Sequence, residues 1–252
     1  RTYREGLSRR YSRMMQTISG IHYNYSVPET LWQSPLLKKM SENSNEIRSS
    51  AYFNMLRNIS RINWFILYLF GASPIITRSF LTKDSQSLKQ LDNQTFYLPY
   101  ATSLRMSDFG YSNIRRNKLQ VSMNSLQEYV SDLRKATNTP CNEFVTIDKT
   151  NTKLQTQINE NVLQIDDEYY AVARAKSKTI SEQRITSKLS QGGVDYIELR
   201  SLDLNPYSRI GIDKETVLFL ETLLTYCFIK QGQNFTDDEI RNINHNDSIV
   251  TQ

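Results

Sequence analysis

Polar and apolar side chains alternate along Val194-Asp195-Tyr196-Ile197-Glu198-Leu199-Arg200-Ser201-Leu202-Asp203-Leu204-Asn205, and the alternation stops at Pro206. The period of two predicts a strand with Tyr196, Glu198 and Arg200 on one face and Ile197 and Leu199 on the other. A second alternation, Ile21-His22-Tyr23-Asn24-Tyr25-Ser26 before Pro28, places His22, Asn24 and Ser26 on one side and Ile21, Tyr23 and Tyr25 on the other. A third, Tyr169 to Lys176, sets Tyr170, Arg174 and Lys176 on a common face. Leu154–Ile158 and Val162–Ile165 read as two further short strands, close enough in sequence to pair antiparallel.

Helical periods separate these strands. Tyr3, Leu7, Tyr11, Met14 and Met15 predict a helix over 2–17 that stops near Gly20. The most apolar stretch, 51–70, is interrupted by Arg57, Arg61 and Asn63. A membrane span needs about 20 mostly apolar residues free of charge, so this is a core helix, ended by Gly71-Ala72-Ser73-Pro74. Leu126, Tyr129, Val130 and Leu133 mark another helix, with Ser122 as its expected N-cap, and Asp213 caps a third through Val217, Leu220, Leu224 and Phe228 that should cover the sheet. Residues 28–50 read as a loop with a short helix, 177–191 as a mobile basic loop able to act as a lid, and 242–252 as polar chain without a period.

The chemistry on these faces is suggestive and unspecific. Glu198 can hold a divalent cation and Arg200 a phosphate, although a solvated strand face offers the same residue types. His22 alone fits a hydrogen-bonded histidine as well as a metal ligand. Arg105, Asp108 and Tyr111 fall together beside Gly110, where Arg105 fits a binding group or a partner of Asp108. Asp166-Asp167-Glu168 reads as a solvated acidic turn more readily than as a cation site. The Gly-rich loop G-x-x-x-x-G-K-[ST] is missing, so any ATP is held by another device.

Composition narrows the class. The 252 residues, 38% hydrophobic and 23% charged, are those of a globular protein with one large or two modest cores. A net charge of +5 admits nucleic acid or small anionic substrates. The basic residues occur in pairs such as Arg9-Arg10 and Arg115-Arg116, not as a dense stripe, which ranks a nucleic-acid module low. Cys141 and Cys227 have neither disulfide nor metal spacing, and a reducing cytoplasm is the expected compartment. The chain opens on Arg1, inside a predicted helix, as a piece of a longer polypeptide would.

Five stretches carry a resemblance. Tyr3-Arg4-Glu5-Gly6-Leu7, Met15-Gln16-Thr17-Ile18-Ser19-Gly20-Ile21-His22-Tyr23-Asn24, Tyr68-Leu69-Phe70-Gly71-Ala72-Ser73-Pro74, Leu98-Pro99-Tyr100-Ala101-Thr102-Ser103-Leu104-Arg105 and Tyr196-Ile197-Glu198-Leu199-Arg200-Ser201-Leu202-Asp203 resemble, in order and spacing, the bacterial glutamate-cysteine ligases of glutathione synthesis. The resemblance implies an α+β, glutamine-synthetase-like fold in which a curved, mainly antiparallel sheet forms a funnel with helices outside. It implies a single domain over 1–252, part of a catalytic domain whose N-terminal acidic strands and C-terminal portion lie outside this segment. It implies ATP-dependent joining of L-glutamate to L-cysteine through γ-glutamyl phosphate, with ATP and Mg2+ or Mn2+ as cofactors. The protein is then a monomer binding small molecules, not nucleic acid or membrane.

The resemblance also assigns roles. Glu198 would ligate the metal with His22 beside it, and Arg200 would stabilise the transferring phosphoryl group. Arg4 and Arg105 would meet substrate carboxylates, and Tyr111 and Tyr170 would line the cysteine pocket. A ligase with another amine acceptor and an inactive fragment are the alternatives.

Overall fold

The periodicities become elements in a computed structural model that describes residues 1–34, 45–81, 87–110, 119–149, 156–178 and 184–252. In chain order these are α1 (Thr2–Tyr11), β1 (Ile21–Tyr25), α2 (Glu29–Trp32), α3 (Asn45–Phe70), β2 (Ile75–Thr77), β3 (Lys89–Gln90) and β4 (Thr95–Tyr97). They are followed by α4 (Leu126–Asn138), α5 (Asn142–Lys149), β5 (Ala173–Lys176), α6 (Ile185–Gly192), β6 (Tyr196–Leu202), α7 (Lys214–Ile229) and α8 (Asp237–Thr251). Short 3-10 turns occupy Met14–Thr17, Arg78–Phe80 and Asp166–Glu168. The described chain is thus α+β, with antiparallel sheets.

One sheet runs β1-β6-β5 and the other β2-β4-β3. In the first, β6 is central and the expected division of its faces holds: Ile197 and Leu199 are fully buried, while Glu198 and Arg200 are half-buried on the opposite side. Ala173 and Ala175 of β5 join the buried face. Helix α3 lies across it, contacting β5 and β6 on one side and α7 and α8 on others. A helix enclosed on several sides must be apolar nearly all round, which is why 51–70 is so rich in aromatic and branched residues.

The polar interruptions of α3 are tethers. Arg57 donates to the carbonyls of Met123 and Asn124, Asn58 to those of Cys227 and Lys230, and Asn63 to the carboxylate of Asp247. Tyr52 accepts from the Val27 amide and donates to the Asp195 carbonyl. Each bond lowers the cost of placing a polar side chain inside the core. No described helix is long and apolar enough to cross a membrane.

Several expectations are corrected. The first helix ends at Tyr11, where Ser12 adopts a φ of 81° and its side chain accepts from the Met14 amide. Ser125, not Ser122, caps α4 by accepting from the Glu128 amide. Helix α7 packs chiefly on α3 and is tied to the edge strand β1 by Tyr23–Glu221 and Tyr25–Thr225 hydrogen bonds, while α3 lies across β5 and β6.

Described residues 156–165 form no strand, only an isolated bridge between Asn161 and Pro140. The buried Gln157 and Gln164 explain the difference. Gln157 donates to the Phe144 carbonyl and accepts from Arg10, while Gln164 accepts from the Ile158 amide, so side chains satisfy backbone groups that a ladder would otherwise pair. The acidic turn is not solvated. Asp166 is buried and accepts from the Thr186 amide, and Glu168 is buried against Arg10, Tyr11 and the Gln164 amide. Within the predicted basic loop, 185–192 is a helix that buries Thr186 and Leu189. The polar C-terminal stretch is helical too, opened by Thr236, whose side chain accepts from the Glu239 amide.

Candidate active site

Strand β6 places Glu198 between two neighbours. Across the ladder Glu198 faces Asn24 of β1 on one side and Arg174 of β5 on the other, all on the sheet face away from α3. Near His22 the register shifts: Ile21 pairs with Leu202 but Tyr23 pairs with Leu199, so Arg200 and Ser201 together oppose His22. This two-against-one count is a bulge, a device that re-aims side chains. It keeps Arg200 on the polar face while Ser201 and Leu202 are both buried.

The result is one carboxylate among several cations. Glu198 lies 3.4 Å from Lys176 Nζ, 3.5 Å from Arg200 Nε and 4.0 Å from His22 Nδ1. Charge-assisted hydrogen bonds are usually about 2.7–2.9 Å, so these contacts are loose and leave lone pairs for another partner. Arg200 Nε also points at His22 Nε2, 3.4 Å away, and its guanidinium lies 4.8 Å above the ring of Tyr170. That ring is nearly buried, its hydroxyl directed to the sulfur of Met106. The backbone is held as well: the Arg200 amide donates to Val172, and its carbonyl accepts from both Nη atoms of Arg105.

Burial lowers the His22 pKa below its ordinary value of 6.5, and the charge of Arg200 lowers it further, against the opposing effect of Glu198. A neutral imidazole with its proton on Nδ1 suits both neighbours, Glu198 at Nδ1 and the Arg200 donor at Nε2. The sign follows from linkage. As pH falls below 6.5 the unfolded chain takes up the proton first, so His22 contributes stability that is lost with acid as the folded imidazole is protonated. An NMR titration of the imidazole should give a midpoint below 6.5; one above it would mean that Glu198 dominates.

The other expected residues lie elsewhere. Arg105 is committed to a buried carboxylate: its Nε donates to Asp203 at 2.5 Å, with both side chains almost fully buried. Asp203 also accepts from the Ala72 amide and the Ser73 hydroxyl. Three of the recognisable stretches therefore meet at one carboxylate. Arg4 is exposed on α1, beside a depression lined by Arg1, Glu5, Ser8, Arg13 and Gln16, and no described contact joins it to Glu198. Tyr111 lies outside the described residues. Tyr3 does sense the cluster: burial and the nearby Glu168 and Asp167 push its hydroxyl up to about 12, against Arg174 and Arg200. A cleft of about 940 Å³ lies beyond the end of β6, lined by Phe70, Leu202, Asp203, Ile212 and Phe219 among others, and does not contain Glu198.

Sequence reasoning overlooked Lys176 and Arg174 as members of the site. The alternation Ala173-Arg174-Ala175-Lys176 was the available sign, with the small residues turned inward and the long cations outward.

The family model for glutamate-cysteine ligase matches residues 1–250. The chain belongs to the glutamate-cysteine ligase family. Among solved structures of this fold, a glutamate-cysteine ligase (gshA) from Francisella tularensis in complex with AMP matches at TM-score 0.89 and 37% identity. The match covers 99% of this chain and 49% of that one, so this ligase-family chain spans about half the relative's length. A bifunctional glutathione synthetase from Pasteurella multocida shares the fold, with TM-score 0.68 and 24% identity over 98% of this chain and 28% of its own.

Proposed function

We propose that this segment is part of the catalytic domain of an ATP-dependent ligase that joins the γ-carboxylate of L-glutamate to the amine of L-cysteine. The observation that carries the reading is the convergence of Glu198, Arg200 and His22 on one sheet face, with Tyr170 beneath the guanidinium. The family match and the AMP complex of the F. tularensis relative support ATP as the nucleotide. The β1-β6-β5 sheet would be one wall of a glutamine-synthetase-like funnel.

In the first step a γ-carboxylate oxygen attacks the terminal phosphorus of ATP and ADP leaves. In the second the cysteine amine attacks the acyl carbon, phosphate leaves, and the nitrogen gives up a proton to yield γ-glutamylcysteine. Arg200 neutralises charge on the phosphoryl oxygens in flight, with its plane set by Tyr170 on one side and by Glu198 and His22 at its Nε edge. Lys176 adds a second positive charge to the same face. Neutral His22 keeps that face from becoming too positive for Glu198 to remain available.

The donor set tests the implied metal. The described residues hold no group of three or more His, Cys, Asp and Glu side chains able to grasp an ion. Glu198 and His22 do not amount to a magnesium site by themselves, and the steps above run through this chain's own residues. The free thiols of Cys141 and Cys227 agree with a reducing cytoplasm.

The test is ADP release by the full-length chain with substrates omitted in turn. Release should require both glutamate and an amine, and cysteine should outperform other small amines run beside it. ADP formation indifferent to glutamate would sink the proposal.

A further inference from the structure

Arg174 is buried, with 6% of its surface exposed, yet it is incompletely used. Its Nη2 donates to the Asp167 carbonyl, and its Nε is buried with no hydrogen-bond partner among the described residues. No described ion pair includes it, whereas Lys176 and Arg200 both approach Glu198. A buried donor left unmade costs about 1–3 kcal/mol, so a folded chain keeps one where something else completes it.

Two buried arginines show what distinguishes this one. Arg10 is saturated by Gln157, the carbonyls of Asn159 and Asn161, and Glu168, as a structural arginine should be. Arg57 also has an unpartnered Nε, but it sits in the core helix α3 and bonds loop carbonyls away from the cluster. Arg174 instead stands directly across the ladder from Glu198, in the row that carries the candidate chemistry. Its backbone is anchored in the sheet, and the Asp167 carbonyl holds one arm of the guanidinium.

We propose that Arg174 is a further substrate-contacting residue, giving its Nε edge to an anionic oxygen bound on the β6 face beside Arg200. The face already has more cations than carboxylates, with Arg174, Lys176 and Arg200 around Glu198, which suits an anion richer in charge than Glu198 alone. The chemistry is shared by a nucleotide phosphate and an amino-acid carboxylate. This inference rests on the ligase reading for its ligands, and binding measurements keep its fate separate from that reading.

The experiment uses the full-length chain with Arg174→Gln and Arg174→Lys, titrated separately with ADP and L-glutamate by calorimetry. Losing a hydrogen bond to a charged group should weaken one of the two about tenfold to a hundredfold. A loss confined to ADP assigns a phosphate oxygen, and one confined to glutamate assigns a carboxylate. Lysine keeps the charge but not the planar fork, so Arg174→Lys should lie between wild type and Arg174→Gln, and it carries the test if the glutamine variant does not fold. A folded variant of either kind that binds both ligands as tightly as wild type overturns the proposal. A wild-type chain that binds ADP and glutamate without turnover would instead count against the ligase reading alone.

Discussion

Arg200→Ala in the full-length chain should reduce glutamate- and cysteine-dependent ADP release by about a thousandfold or more while leaving the melting transition nearly unchanged. The size follows from the role: a cation that meets charge only as the phosphoryl group moves acts on the barrier, not on ground-state binding. The small stability effect follows from position, since the side chain is held by loose contacts at 3.4 and 3.5 Å on a half-buried face. Arg200→Lys should recover little, because lysine cannot lie flat on Tyr170 and point at Glu198 at once. Retained turnover in the alanine variant would remove the assigned role. A collapse of folding would show that the residue belongs to the scaffold.

The largest stability effect should come from Asp203→Ala. Its carboxylate pairs with Arg105 at 2.5 Å and also receives the Ala72 amide and the Ser73 hydroxyl, so its removal strands a buried guanidinium and two further donors. Breaking a buried pair from one side costs about 3–5 kcal/mol. In a domain of this size that lowers the melting temperature by about 6–20 °C. The exposed Arg48–Glu29 pair is the control: Glu29→Ala should cost no more than about 1 kcal/mol. Arg105→Met combined with Asp203→Leu should regain much of the lost stability, because the stranded charge is then gone. The double variant should still turn over slowly, since Arg105 no longer holds the Arg200 carbonyl. Similar melting curves for Asp203→Ala and Glu29→Ala would refute the account.

What was readable in the amino-acid order was whatever depends on neighbours a few positions away. The period of two around Glu198 and Arg200 gave their faces correctly because inward Ile197 and Leu199 leave no alternative register. The core helix was legible from its density of apolar residues and its stop at Phe70, ahead of the Gly71-Ala72-Ser73-Pro74 turn, although it begins at Asn45, earlier than the apolar stretch. The helix at 237–251 was missed although Thr236-Asp237-Asp238-Glu239 spells a capping box, a local rule that a weak apolar period obscured. The strands expected over what are the described residues 156–165 failed differently. Alternating Gln and apolar residues imitate a strand, and only distant partners, Arg10 and Phe144, reveal that the glutamines bond inward.

The candidate site divides in the same way. That His22, Glu198 and Arg200 belong together followed from strand faces and from the resemblance, and the structure brings them within contact. That Arg105 would face Asp203 did not follow, because the pairing joins residues about a hundred positions apart and Asp108 lay nearer in the chain. No short-range pattern distinguishes an arginine bound for a substrate from one committed to a buried carboxylate.

The extra residue in β6 opposite His22 has a practical corollary for anyone cutting or grafting this chain. A one-residue deletion just ahead of Tyr196 that slides the whole of β6 by half a pleat would turn Glu198 and Arg200 into the oily interior and Ile197 and Leu199 out to water. The loop beyond Pro206, where Tyr207 and Ile210 are almost wholly exposed, should accept the same deletion with far less harm.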